Sequence, residues 1–324
     1  MVSVNLWGVR RFGLLSVQKG GSMVWIHGFE IMCYIITAML IFDVARKRDR
    51  EEGGLFLSAA LAGFALELLA VRLTDIYHYS HAFYIVIGPA PYQFPFFGGL
   101  MWGGVAVCAR RIAKKFPFGP LMTALFAGWL VVSMDLLLDV AAIRLDGGFW
   151  IWDGRPIDLA VTHHLFMSVV WVNFLGYMFE TPALVYMTER RRKRAPSSAI
   201  KEIFISLRIG AAAVAVVGIL SAIALFLDGL TDEWFSCVAF LILWCGVFFK
   251  LIMTLATRRK DLSFRGKKDW VLFVFWAAMY VYCLAGLWSL GVIRAAAAYG
   301  AFGLFFGLMT LALCLLHIEQ DSGQ

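Results

Sequence analysis

Apolar residues run along this chain in long unbroken stretches, separated by short segments that carry charge, glycine or proline. A hydrocarbon core of about 30 Å needs roughly 20 apolar residues for each helical crossing. About nine stretches approach that length, over residues 23–44, 54–71, 93–109, 118–143, 164–187, 204–227, 234–256, 270–290 and 296–317. The pattern predicts an all-α polytopic transmembrane bundle of about nine spans. Residues 1–324 read as a single membrane domain: 23–187 hold nearly all the polar groups at membrane depth, and 203–317 form a plainer apolar support. The basic linker "TERRRKRAPSSAIKE", with Pro196, joins the two parts.

Charge orients the bundle. Arg46, Lys47, Arg48 and Arg50 follow the first span, and Arg110, Arg111, Lys114 and Lys115 the third. Arg190 to Arg194 and Lys201 follow the fifth, and Arg258, Arg259, Lys260, Arg265, Lys267 and Lys268 the seventh. These loops alternate with loops holding only Arg72, Arg144, Arg155 and Arg294. The positive-inside rule therefore predicts an external N-terminus and a cytoplasmic C-terminus. Arg10, Arg11 and Lys19 precede the first span on the wrong side for that rule and read as part of an interfacial helix.

A composition of 61% hydrophobic and 16% charged residues excludes an ordinary soluble domain. The net charge of +7 is accounted for by the basic loops, so no nucleic-acid partner is expected. The six cysteines form no CxxC pair and read as small buried hydrophobes. No cleavable signal peptide is expected, because the first apolar run is as long as a full span and is followed by basic residues.

The polar groups that remain at membrane depth gather opposite the basic loops. Glu67 lies late in the second span, and the loop "RLTDIYHYSHAFYIVIGPAPYQFP" adds Asp75, Tyr77, His78, Tyr79 and His81. Asp135 and Asp139 lie in the far half of the fourth span, and "RLDGGFWIWDGRPIDLAVTHH" adds Trp150, Trp152, Asp153, Asp158, His163 and His164. His27 and Glu30 come from the first span and Asn173 from the fifth. A carboxylate in a membrane bundle is costly unless paired or neutralised, so such acids face the interior and carry function. Asp135 and Asp139, at i and i+4, share a helix face. Two like charges this close in low dielectric do not both ionise readily, so one is expected to keep its proton, as a general acid must. The purely structural reading pairs them with Arg144 or makes them loop caps, and leaves Asp146, Asp153 and Asp158 in water.

These blocks resemble the integral-membrane carotenoid biosynthesis proteins, a family that includes carotenoid 1,2-hydratases and bisanhydrobacterioruberin hydratases. The first matching block is Glu67, "YHY", "GPAPYQFP" and Trp102; the second is "DLLLD", "WIW" and "VVWVNFLGY", over roughly residues 55–180. Val140 stands where the family has proline, "VV" with Trp171 following replaces its Val-Pro, and Tyr177 replaces its last tryptophan. The resemblance implies a lyase that adds water to the terminal isopropylidene double bond of a carotenoid or related isoprenoid, with no cofactor. It implies Glu67, Asp135 and Asp139 as proton donor, cation stabiliser and water-orienting base, in an order left open. Tyr77, Tyr79, Trp102, Trp150 and Trp152 are expected to line the substrate channel, and Asn173 to bind water or fix a carboxylate. The partners implied are a lipophilic polyene and the bilayer. The setting is a bacterial or archaeal cytoplasmic membrane, with the site near its noncytoplasmic face.

Two other classes fit the residues. His27, Glu30, Glu67, His78, His81, His163 and His164 supply ligand types that suit iron or zinc in a lipid oxidoreductase. Against this, the chain has no HExxH, and adjacent histidines at 163 and 164 on a helix would point apart. The other class is a noncatalytic subunit that binds a pigment, a quinone or another membrane protein. A transporter would place its polar groups at broken helices near the midplane, and here they are displaced to one end.

Overall fold

Lipid offers no partner to a free backbone N–H or C=O, so each long apolar stretch folds as a helix that satisfies its own. The computed structural model of the chain describes residues 24–73, 77–152, 157–191 and 198–318. The expected segment before the first span, Asp75, Asp153, Arg155 and residues 192–197 of the basic linker lie outside the described residues. The helices are α1 (Val24–Lys47), α2 (Arg50–Leu73), α3 (Phe96–Ala113), α4 (Pro120–Ala142), α5 (Trp171–Arg191), α6 (Ala199–Thr231), α7 (Trp234–Thr257), α8 (Trp270–Ser289), the short α9 (Val292–Ala295) and α10 (Ala297–Leu315). The protein is an all-α polytopic bundle.

Seven of these helices are long and apolar enough to cross a membrane on their own: α1, α2, α4, α6, α7, α8 and α10. The third and fifth expected spans fall short, for a physical reason. Helix α3 ends in Arg110 and Arg111, and α5 carries Glu180, Glu189 and Arg190. Both are sheltered, α3 between α2 and α4, and α5 against α4 and α6. Helix α4 is the hub: 78% of its most apolar stretch is buried, against 28% for α6 and 17% for α7, whose apolar side chains face outward to lipid. Close approach to the hub is set by small residues. A Cβ on Gly128 of α4 would lie 2.6 Å from the Pro182 ring of α5, and one on Gly63 of α2 would lie 2.3 Å from the Trp102 indole of α3.

The basic clusters meet at one end of the bundle. Arg111 reaches Glu52 at 2.6 Å, Asp43 at 2.9 Å and Asp269 at 3.1 Å, and Arg110 reaches Glu189 at 2.6 Å and also Glu51. Arg191 pairs with Glu202. The ends of α1, α2, α3, α5, α6 and α8 are thereby tied together. Breaking such buried pairs one partner at a time leaves an uncompensated charge.

At the opposite end the loops form short antiparallel ladders. Strands β1 (Tyr77–Tyr79), β2 (Val86–Ile87), β3 (Phe94–Pro95), β4 (Trp150–Trp152), β5 (Leu165–Phe166) and β6 (Val169–Val170) pair as β1 with β4, β2 with β3, and β5 with β6. The fifth helix therefore starts at Trp171, not at residue 164. Met167 and Ser168 take left-handed backbone conformations (φ 49° and 75°) that close the β5–β6 turn and stop a helix from running through it. His163 and His164 consequently sit in a loop, which overturns the expectation that a helix would point them apart. Five of the six cysteines are buried, as expected, whereas Cys245 is exposed on the outward face of α7.

Candidate functional site

Pairing of β1 with β4 builds one wall of a cavity. The register sets Tyr77 opposite Trp152, His78 opposite Ile151, and Tyr79 opposite Trp150. Side chains alternate between the faces of a strand, so the two tyrosines and two tryptophans share one face and His78 takes the other. The rings touch across the ladder, with centroids 5.0 Å apart for Tyr77 and Trp152 and 6.0 Å for Tyr79 and Trp150.

Behind this aromatic face lies a cavity of about 100 Å³, within a cleft of about 760 Å³ that includes its open mouth. Glu67, Tyr77, Tyr79, Trp102, Asp135, Trp150, Trp152 and Asn173 all line it, so elements far apart in sequence converge on one space. Asp139 does not line it. It stands one turn beyond Asp135, 1% exposed, and Asn173 donates an amide N–H to its Oδ2 at 2.5 Å.

The three carboxyl groups are in different company. Glu67 Oε2 accepts both tyrosine hydroxyls, from Tyr77 at 2.6 Å and Tyr79 at 2.7 Å, and Trp102 also hydrogen-bonds this carboxyl. Asp135 and Asp139 stand side by side one helical turn apart, close enough that a proton on one can be shared with the other. Asp135 Oδ2 and Asp139 Oδ1 are buried with no hydrogen-bond partner among the described residues. Arg144 does not pair with the aspartates. It donates to the carbonyls of Val140 at 2.8 Å, Met167 at 3.0 Å and Asp158, tying the end of α4 to the β5–β6 loop. Asp146 is also spent locally, accepting Ile26 N–H at 2.9 Å at the start of α1, while Asp158 is exposed as expected.

Tyr77 and Tyr79 lie outside the spans. Burial, then the neighbouring Glu67 charge, pushes both hydroxyls well above the ordinary tyrosine value. Both groups therefore stay O–H donors to Glu67 through the neutral and mildly alkaline range. An ultraviolet titration checks this: Tyr77→Phe/Tyr79→Phe is expected to show the same tyrosinate step near pH 10 as the parent, and a smaller step would contradict it.

The histidine and glutamate candidates for a metal are not gathered into one cluster. His27 Nε2 lies 2.9 Å from the Ala82 carbonyl and its ring stacks on Tyr84, with centroids 4.1 Å apart. Glu30 accepts the backbone N–H groups of Tyr84 at 2.7 Å and Ile85 at 3.0 Å, holding the loop after β1 against α1. His81 is exposed, and His78 is absent from the cavity wall. His163 and His164 stand instead beside Asp232.

Several wall residues escaped the sequence reading. Tyr177 lines the cavity and packs on Trp102 at 5.1 Å, yet in sequence it is only a departure from a motif. Phe29 and Met279 also line it, and as apolar residues in apolar spans they carry no signal at all. Glu180 is buried one turn beyond Tyr177, with Oε1 unpartnered among the described residues. A lone glutamate within an apolar run was the signal for it.

Comparison with known proteins follows the same residues. Searches of curated proteins and of solved structures returned no match. A family model described as "Carotenoid biosynthesis protein" matches residues 27–243, from the start of α1 into α7. That is a wider stretch than the motif blocks over residues 55–180, and it contains every carboxylate and aromatic group that lines the cavity, whereas Met279 of α8 lies beyond it. With two-thirds of its length matched, this membrane-embedded chain belongs to the carotenoid biosynthesis protein family.

Proposed function

We propose that this protein is a hydratase that adds water across the terminal isopropylidene double bond of a carotenoid or related isoprenoid. The observation that carries the reading is the buried, adjacent Asp135–Asp139 pair, which opens through Asp135 into an aromatic cavity that also holds Glu67. Two buried carboxyls this close do not both ionise, so the pair holds one proton. Asn173 donates to Asp139, which favours the charged form there and leaves the proton on Asp135, the member facing the cavity.

Asp135 then delivers that proton to the less substituted alkene carbon, and the π pair forms the new C–H bond. The tertiary carbocation left behind faces Glu67, where hydrogen bonds from Tyr77, Tyr79 and Trp102 work against burial to favour the carboxylate, and the ring faces of the β1–β4 aromatics. Water adds its oxygen to the cation and returns a proton to Asp135, so the sum is alkene plus water giving a tertiary alcohol. No electron leaves the substrate.

Expression in cells that accumulate an acyclic carotenoid tests the reading. Mass spectrometry is expected to find a product heavier than its precursor by one water. A desaturated product, or one whose oxygen derives from O2, would mean redox chemistry and defeat it.

A further inference from the structure

The loop that was expected to be helical places two histidines where they can act together. Thr162 Oγ1 accepts the backbone N–H groups of His164 at 3.2 Å and Leu165 at 3.1 Å, turning the chain so that both imidazoles lie on one side. Their ring centroids are 3.7 Å apart. Facing them is the turn between α6 and α7. Asp232 and Glu233 both adopt left-handed conformations there (φ 51° and 63°), and the Glu233 N–H is held by the Asp228 carbonyl at 2.9 Å.

Distances across this contact are those of metal ligands. His163 Nε2 lies 3.5 Å from Asp232 Oδ2, and His164 Nδ1 lies 3.2 Å from Glu233 Oε2. Two ligands bound to one tetrahedral zinc at about 2.0–2.1 Å stand about 3.4 Å apart, so both separations already fit. One ligand atom from each of His163, His164 and Asp232 falls within 4.8 Å of the other two. His163 Nε2 is shielded from solvent and has no hydrogen-bond partner among the described residues, so a lone pair is left unused. Trp234 stacks flat on the His163 ring, at 4.4 Å and 4°, and fixes its plane. Two neutral imidazoles and two carboxylates together carry the two negative charges that neutralise a divalent cation, and such a mixed nitrogen and oxygen set suits zinc.

We propose that His163, His164 and Asp232, with Glu233 beside them, bind a zinc ion that pins the loop before α5 to the α6–α7 turn. None of the four lines the cavity, so the site is separate from the proposed chemistry and stands or falls without it. Its effect on the cavity is indirect: the pinned loop leads through Trp171, whose indole donates to the Thr162 carbonyl at 2.8 Å, into the first turn of α5, where Asn173 holds Asp139.

The test is zinc titration of the purified full-length protein after chelator treatment, with thermal stability recorded in parallel. The parent is expected to bind one zinc and to melt at a higher temperature with it. His163→Ala/His164→Ala is expected to weaken binding at least tenfold and to abolish the thermal shift. Asp232→Asn, a change at an 81% exposed side chain that the fold does not depend on, is expected to weaken binding as well. Cobalt in place of zinc should give the visible absorption of a tetrahedral site in the parent and not in the double variant. Absence of stoichiometric zinc in the parent, or unchanged affinity in both variants, would overturn the proposal.

Discussion

Asp135→Asn is expected to reduce product formation by about 10²–10⁴-fold, the range for loss of a positioned general acid, while the protein still assembles in the membrane. An amide matches the carboxyl in shape and can still donate to Asp139, so the helix contact survives. What it cannot do is release a proton to an alkene. Asp139→Asn is expected to be damaging in a different way, because Asp139 touches Asn173 and Asp135 but not the cavity. It would leave one acceptor oxygen where there were two, so Asn173 and Asp135 can no longer both be served. Turnover measured on membranes containing equal amounts of each variant checks both, and an Asp135→Asn protein with parental turnover would remove Asp135 from the mechanism.

Glu67→Gln is expected to cost about 10²–10³-fold in turnover, the loss typical when a fixed group aimed at developing charge is neutralised. Tyr77 and Tyr79 would still find an oxygen to donate to, so the wall of the cavity stays in place while its negative charge is gone. Combining Glu67→Gln with Asp135→Asn is expected to cost little more than the worse single change, since a cation that never forms needs no stabilising. Fully multiplicative losses would place the two carboxyls in separate steps.

Much of this site was legible because its residues break the rule of their surroundings. Glu67, Asp135 and Asp139 are acids inside apolar runs, and orientation from the basic loops set them at one end together with "YHY" and "WIW". The pairing of those two motifs was not legible, because strands of three residues carry too little periodicity to announce a ladder. The alternation of aromatic, other, aromatic in both was the available hint. Nor could spacing tell that Asp139 sits behind Asp135, since i and i+4 share a face without saying how deep that face is buried. The start of the fifth helix was misplaced because residues 164–170 are as apolar as a span, and only the turn at Met167 and Ser168 separates the hairpin from Trp171. That error concealed the histidine pair. Helices α3 and α5 were recognised as elements, although neither is apolar enough to cross on its own; their neighbours supply what their sequences lack.

The most direct measurement of the central idea is an infrared comparison of the parent with Asp135→Asn, looking for the C=O stretch of a protonated carboxyl that shifts in heavy water. The parent is expected to show that band and the variant to lack it, with the band retained in Glu67→Gln. A parent with no such band, or a variant that keeps it unchanged, would mean that Asp135 does not store the proton on which the chemistry depends.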